Sequence, residues 1–320
     1  MKIILVDGNA VGYHASSTRK LSTEDGRPTQ AIFHSIKSIW ALTRRYPEHR
    51  VLILWDSHCQ WRYDLLPEYK GKRETNPKQI AQREEYRAQR DAIKEAFRLM
   101  GLTQVAHEGY EADDIAGVYA RKVAALPDAE AILYTGDKDW IQLVAENVLW
   151  HNIDDDKIIG VKNFQRETGF PDVSSFIQAK ALHGDGSDNI SGVGRIGDKT
   201  AQAIINHFGS VKRMLSKYSD TENGFVKGDF AGLEEEATLN RALKPINRFC
   251  SNEEGGLDTY KRNLKLMNLH TIKPPKGGHF FRQKLKPHLE GFKSFCLEYE
   301  LTTIYGKAEK IFNDLEKQHG

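Results

Sequence analysis

The sequence predicts an α/β fold, a central and mostly parallel sheet flanked by helices, followed by a smaller helical lobe. Three observations predict it. Short β-branched runs at residues 3–6, 51–55 and 131–134 alternate with longer amphipathic stretches at 29–46, 80–100 and 113–125, the alternation expected of a parallel sheet. Each run is followed by acid: Asp7 after the first, Asp56 after the second, Asp137 and Asp139 just past the third. Beyond about residue 180 the strand signal stops and the text becomes helical with glycine punctuation.

Taken in order, the first strand, Ile3-Ile4-Leu5-Val6, stops at Asp7, too short for the apolar segment of a signal peptide. The helix at 29–46 and the second strand at 51–55 lead to a basic segment, residues 61–100, rich in Arg and Lys. Within it Arg83, Arg87, Arg90 and Lys94 recur at helical spacing and share a face; alone this is most simply a solvated face paired with Glu84, Glu85, Asp91 and Glu95. Glu111-Ala112-Asp113-Asp114 opens the next helix, where acids also suit a helix N-terminus. After the third strand, Asp137 and Asp139 straddle Lys138. A glycine-rich stretch at 184–197, a helix at 199–208, a looser region at 219–232, a helical stretch at 240–268, the linker Lys273-Pro274-Pro275-Lys276-Gly277-Gly278 and a last helix at 292–318 complete the chain.

The 320 residues, 39% hydrophobic and 28% charged, have the composition of an ordinary globular protein and exclude disordered, collagenous and membrane-spanning classes. Lys and Arg number 46 against 44 Asp and Glu, so net charge names no partner. Cys59, Cys250 and Cys296 are odd in number and far apart, which fits neither a disulfide framework nor a zinc cluster and suggests a reducing, cytoplasmic setting. No solenoid repeat is present.

Nine acids carry the chemistry: Asp7, Asp56, Glu111, Asp113, Asp114, Asp137, Asp139, Asp185 and Asp188. Ligands of open parallel sheets sit beyond the carboxyl ends of the strands, so these side chains are expected to converge there. Brought together without cations they would repel strongly. Oxygen donors without matching His or Cys select hard ions, Mg²⁺ or Mn²⁺, and the number of acids suggests two or more. This is the layout of two-metal phosphoryl transfer.

Five motifs then occur in one order: Leu5-Val6-Asp7-Gly8-Asn9, Leu66-Pro67-Glu68-Tyr69-Lys70-Gly71-Lys72-Arg73, Gly109-Tyr110-Glu111-Ala112-Asp113-Asp114, Thr135-Gly136-Asp137-Lys138-Asp139, and Gly184-Asp185-Gly186-Ser187-Asp188-Asn189 followed by residues 192–201. Over roughly residues 1–270 the chain resembles the flap endonuclease and 5′–3′ exonuclease family, close to stand-alone bacteriophage enzymes and to the 5′-nuclease domain of bacterial DNA polymerase I.

The resemblance implies a PIN-like 5′-nuclease domain at residues 1–182, with a helical arch at about 61–100, and a DNA-binding lobe at 183–320 with a helix-hairpin-helix at about 185–210. It implies a first metal group of Asp7, Asp56, Glu111, Asp113 and Asp114, and a second of Asp137, Asp139, Asp185 and Asp188. Lys70 and Arg73 would act at the scissile phosphate beside Asp7, Asp113 and Asp114. Arg62, Tyr69, Arg83, Arg87 and Arg90 would line the arch, with Tyr69 stacking on a base unless it is a core tyrosine. Lys180, Lys199 and the glycines Gly192, Gly194 and Gly197 would meet duplex phosphate, with K⁺ bound at the hairpin. Glycine usually stands where this chain has Arg195, which leaves the turn open. The implied activity is Mg²⁺-dependent cleavage of branched or 5′-flap DNA in phage replication or recombination, by a monomer in the host cytoplasm and away from membranes. RNA–DNA hybrids are a further implied substrate. The alternatives are RNase H-like primer removal, a PIN-type ribonuclease, and a branch-DNA-binding relative without catalysis.

Overall fold

The computed structural model describes residues 1–71, 76–276, 280, 282–283 and 286–317. In chain order the strands are β1 (Lys2–Asp7), β2 (Arg50–Leu54), β3 (Thr103–Val105), β4 (Glu130–Tyr134), β5 (Val148–His151), β6 (Ile158–Ile159), β7 (Gly184–Asp185), β8 (Ile190–Ser191) and β9 (Arg282–Gln283). The helices of the first half are α1 (Gly8–Ser16), α2 (Gln30–Arg45), α3 (Gln60–Leu65), α4 (Pro77–Leu99) and α5 (Ala112–Ala124). Those of the second are α6 (Phe164–Thr168), α7 (Val173–His183), α8 (Asp198–Phe208), α9 (Val211–Ser219), α10 (Glu236–Arg241), α11 (Leu243–Cys250), α12 (Gly256–Met267), α13 (Leu289–Glu298), α14 (Thr302–Tyr305) and α15 (Ala308–Glu316). Two compact units result: Met1–Cys59, Glu74–Gly160 and Ile272–Gly320 form one, Gln60–Arg73 and Val161–Thr271 the other.

The first unit is a sheet in the order β6-β5-β4-β1-β2-β3-β9, parallel except where β6 and β9 pair at its edges. β1 is central, with Val6 beside Ile53 on one flank and beside Tyr134 on the other. Its Ile4, Leu5 and Val6 are wholly buried, as expected of a strand covered on both faces. Because β1, β2 and β4 are parallel neighbours, the chain leaves all three at the same edge, where Asp7, Asp56 and Asp137 follow.

Close packing fixes α1, α2 and α4 against one another in the first unit. A Cβ on Gly8 would lie 2.7 Å from the Trp55 ring, and one on Gly12 only 2.3 Å from the ring of Tyr86 on α4, so glycine is what lets α1 approach both. α4 buries Tyr86, Gln89, Ile93, Ala96 and Phe97 along one stripe, the repeat of a core-facing helix. Its Gln89 Oε1 accepts from the backbone N–H of Ala31 at 2.8 Å, satisfying an orphan donor in the first turn of α2 that Thr29 leaves uncapped.

The helical lobe expected to run from 183 to 320 does not hold its last part. The segment from Ile272 onward packs with the first unit: β9 pairs with β3, His288 N donates to Leu99 O at 2.8 Å, and Phe292, Phe295, Ile311, Phe312 and Leu315 share a core with Ile32, Ile36 and Phe97. The single helix expected at 292–318 is three, with Glu300 at φ +51 in the first break. Amphipathic spacing reveals an apolar face but not which surface covers it.

In the second unit, α7, α8 and α12 pack together and hold the short β7–β8 hairpin. Fully buried Asn263 on α12 bridges them, its Nδ2 donating to Ala181 O at 3.0 Å and Ser191 O at 2.9 Å. At Gly184, φ +80, a Cβ would sit 2.3 Å from Ile190 O, and at Gly192 it would sit 2.2 Å from His183 O; no side chain fits at either. The turn into α8 has positive φ at both Gly194 (+45) and Arg195 (+72). Arg195 therefore takes a conformation that glycine would adopt without strain. Among the described residues no helix is long and apolar enough to cross a membrane.

Candidate active site

Asp7 ends β1 and caps α1. Its Oδ1 accepts from Ala10 N at 2.9 Å and its Oδ2 from Thr135 Oγ1 at 3.1 Å. It is 8% exposed. Burial first, and the charge of Asp56 second, push its carboxyl up to about 6 against those donors. Asp56, exposed past β2, is oriented from two sides: Ala112 N donates to Oδ1 at 2.8 Å and Asn9 Nδ2 to Oδ2 at 2.9 Å.

Three acids open α5. Asp113 receives the Trp140 Nε1–H at 2.6 Å. Partly open at its own surface but enclosed by protein mass, it is pushed well above the carboxylate range by desolvation, then by the charges of Asp137, Asp56, Glu111 and Asp7. Those four carboxylates and Asp113 therefore share one field. Asp114 is fully buried and accepts from Glu111 N at 2.9 Å and from the Cys59 thiol at 3.7 Å; it performs the helix-capping role that the sequence left open beside metal binding. Asp137 accepts from Asp139 N at 2.7 Å at the start of the 3₁₀ turn Lys138–Leu143.

Among the described residues no three Asp, Glu, His or Cys side chains stand at the separation of a preformed metal cage. The donor chemistry still fits a hard cation: the group is all oxygen, and two of its members are held above their ordinary pKa by burial and mutual repulsion.

Asp185 and Asp188 lie in the second unit, Asp185 at the end of β7 and Asp188 in the turn that leads to β8. Asp185 Oδ1 accepts from Ser187 N at 2.8 Å and Ser187 Oγ at 2.7 Å, and Lys180 Nζ stands 3.7 Å from Oδ2. Burial works to raise its pKa, but Lys180 and these donors outweigh it and hold the carboxyl below the ordinary value. Lys180 thus serves Asp185. Asp188 is tied to the segment carrying Lys70: Tyr69 Oη donates to its Oδ2 at 2.9 Å, and Lys70 N donates to its carbonyl at 2.8 Å. Lys70 sits at φ +59 with Nζ 4.9 Å from the Tyr69 ring centroid.

The basic residues divide. Arg87 and Arg90 are exposed on α4, Arg83 is half-buried there, and Lys199 is exposed in the first turn of α8. Arg62 departs from the expected phosphate track: only 2% exposed, it donates through Nε to Leu266 O at 3.3 Å and lies 4.5 Å from the Trp61 ring. A cation stacked on an aromatic in the interior has the spacing of a surface one in sequence. Tyr69 is also buried, at 3%, so the core alternative describes it here and the base-stacking one does not. Arg73 lies outside the described residues.

Sequence reasoning missed the neutral donors Asn9, Thr135 and Trp140, and Tyr86, whose hydroxyl reaches Asn9 Oδ1 at 2.6 Å. Asn9, Thr135 and Trp140 lie in or beside recognised motifs, but only charge marked a residue as functional. Tyr86 carried no signal beyond its place on a core-facing stripe.

Acids at the carboxyl edge of a parallel sheet, with a separate glycine hairpin opening a helix, define the PIN-like class of 5′ nuclease folds. The chain belongs to the 5′-3′ exonuclease family: the family model for the 5′-3′ exonuclease, N-terminal resolvase-like domain, matches residues 2–169, and that for the 5′-3′ exonuclease, C-terminal SAM fold, matches residues 172–265. A DNA polymerase I of Lactococcus lactis subsp. cremoris is 31% identical over 89% of this chain and 33% of its own length; the chain thus spans about a third of that relative. A 5′-3′ exonuclease of Bacillus subtilis is 31% identical over 78% of this chain and 84% of its own. The fold is similar to bacteriophage T5 flap endonuclease, solved as a pseudo-enzyme-product complex with DNA and metal ions, with TM-score 0.61, 20% identity and 100% of both chains covered.

Proposed function

We propose that the protein is a Mg²⁺-dependent, structure-specific 5′ nuclease that hydrolyses DNA phosphodiesters near the junction of a 5′ single strand with duplex. The observation that carries this reading is the shared field of Asp7, Asp56, Glu111, Asp113 and Asp137, like charges of which Asp7 and Glu111 are buried and Asp56 and Asp137 exposed, and which neutral donors orient but do not neutralise. Asp7, Asp56, Glu111, Asp113 and Asp114 would hold the first divalent ion, and Asp137, Asp139, Asp185 and Asp188 the second. When bound, such ions lower the pKa of an attacking water and stabilise the leaving oxygen.

The chain's own residues do the rest. The donors to Asp7, Asp56 and Asp113 fix where the carboxylates point. Lys70 and Arg73 meet the scissile phosphate, Arg83, Arg87 and Arg90 follow the single strand, and Lys199 with the N–H groups at the start of α8 holds duplex phosphate without reading bases. K⁺ at the Gly194–Arg195 turn and a phage replication or recombination setting belong to the same proposal.

A 5′-labelled flap substrate incubated with Mg²⁺ or with EDTA tests it. Products sized to the junction, absent with EDTA, are expected. Cleavage of unpaired RNA in preference to flap DNA would favour a PIN-type ribonuclease, and branch binding without cleavage a non-catalytic relative.

A further inference from the structure

The acid group is wired to α4 through one polar chain. Tyr86 Oη donates to Asn9 Oδ1 at 2.6 Å, and Asn9 Nδ2 donates to Asp56 Oδ2 at 2.9 Å. The two bonds lock each other. An Asn amide presents one acceptor and one donor face; turned over, it would set its oxygen against the Asp56 carboxylate. Tyr86 remains a phenol, its ionisation opposed by burial and then by the charge of Asp7, so its O–H is always available to hold the amide the right way round. The ring cannot drift, being 7% exposed and pressed against α1 where Gly12 leaves room. Either side of it, Gln30 Nε2 donates to Glu85 at 2.7 Å and Gln89 caps the start of α2. The stretch of α4 carrying Arg83, Arg87 and Arg90 is thereby fixed to α1 and α2 at the residue that also orients Asp56.

We propose that Tyr86 is a positioning residue: through Asn9 it sets the orientation of Asp56, coupling the placement of α4 to divalent-ion binding at the first acid group. This rests on the nuclease reading for its functional meaning, though not for its test. Tyr86→Phe keeps the ring and removes only the hydroxyl. The expected result is Mn²⁺ binding to the DNA-free protein, followed by electron paramagnetic resonance, weakened roughly tenfold, the scale typical when a partner behind a metal ligand is lost. Single-turnover cleavage of a saturating 5′-flap substrate should fall by a similar factor and recover with added Mn²⁺, while flap affinity in EDTA stays within about twofold of wild type.

Asn9→Ala separates a relay from a packing effect. If the hydroxyl acts through Asn9, adding Tyr86→Phe to Asn9→Ala weakens Mn²⁺ binding no further. Additive losses, or Mn²⁺ affinity in Tyr86→Phe equal to wild type, would overturn the proposal. Should wild type fail to cleave flap DNA, the nuclease reading falls, and the Mn²⁺ titrations on the DNA-free variants still decide the relay.

Discussion

Asp7→Asn should make the metal-free protein more stable and at the same time inactive. The Asp7 carboxyl is held at about 6 against an ordinary 3.8, about two units, and each unit corresponds to about 1.4 kcal/mol. The sign follows from proton counts. Between pH 3.8 and about 6 the folded chain binds the proton that the unfolded chain has released, so stability falls as pH rises through that window and the full cost, about 3 kcal/mol, is present above it. Asparagine carries no charge and escapes this cost. It offers one acceptor oxygen where Asp7 accepts from both Ala10 and Thr135, which returns about 1 kcal/mol. The net expectation is a gain of about 2 kcal/mol, read by urea denaturation in EDTA above pH 6, shrinking as pH is lowered through the window. With Mg²⁺ the order reverses, because the ion stabilises wild type by mass action and has lost a ligand in the variant, and flap cleavage is abolished. An Asp7→Asn protein no more stable than wild type in EDTA above pH 6 would refute the reasoning, since neither burial nor Asp56 could then be opposing the charge on Asp7.

Asp188→Asn should leave residual flap cleavage that rises with added Mg²⁺ or Mn²⁺, since weakened ligation yields to mass action; total loss unresponsive to cation would remove Asp188 from an accessory role. Lys199→Ala should weaken binding to branched duplex uniformly across sequences and flatten the salt dependence by roughly one unit of slope, and an unchanged salt titration would return the α8 turn to a plain connector. Lys70→Ala should lower single-turnover cleavage of a saturating flap by about 10²–10³ with little change in dissociation constant; the reverse pattern would make Lys70 a tracking residue.

The acids were legible because charge at the end of an apolar run is visible in a sequence: Asp7, Asp56 and Asp137 all fall where β1, β2 and β4 leave the sheet. The three longest parallel strands were legible for the same reason. β3, with three residues, and β5, with four, are too short to carry a period. Burial of charge was not legible. Arg62 has the sequence context of an arch cation, yet its guanidinium is enclosed over Trp61; stacking on an aromatic and a backbone carbonyl makes that burial tolerable. Tyr69 was balanced between core and ligand, and the hydroxyl bond to Asp188 gives it a buried place. The partner of the C-terminal helices was hidden because Phe292, Phe295 and Phe312 could cover any apolar surface of suitable shape.

The donors behind the acids divide the work of the site. Ala10 N, Thr135, Asn9, Ala112 N and Trp140 Nε1 each fix one oxygen of Asp7, Asp56 or Asp113 within 3.1 Å. All are neutral, so they set direction and supply only part of the solvation that water would give an anion. Cationic donors in their places would have lowered the acids' pKa and stabilised the fold, as Lys180 does for Asp185, but would compete with a divalent ion for the same charge. The repulsion left on Asp7 and Asp113 is therefore the part of the proposed site that would favour a cation, and the neutral donors leave it intact while keeping the oxygens in place. On the proposed reading, the stability gain expected of Asp7→Asn and the loss of its activity arise from one cause: the charge that strains the metal-free fold is the charge that would bind the ion.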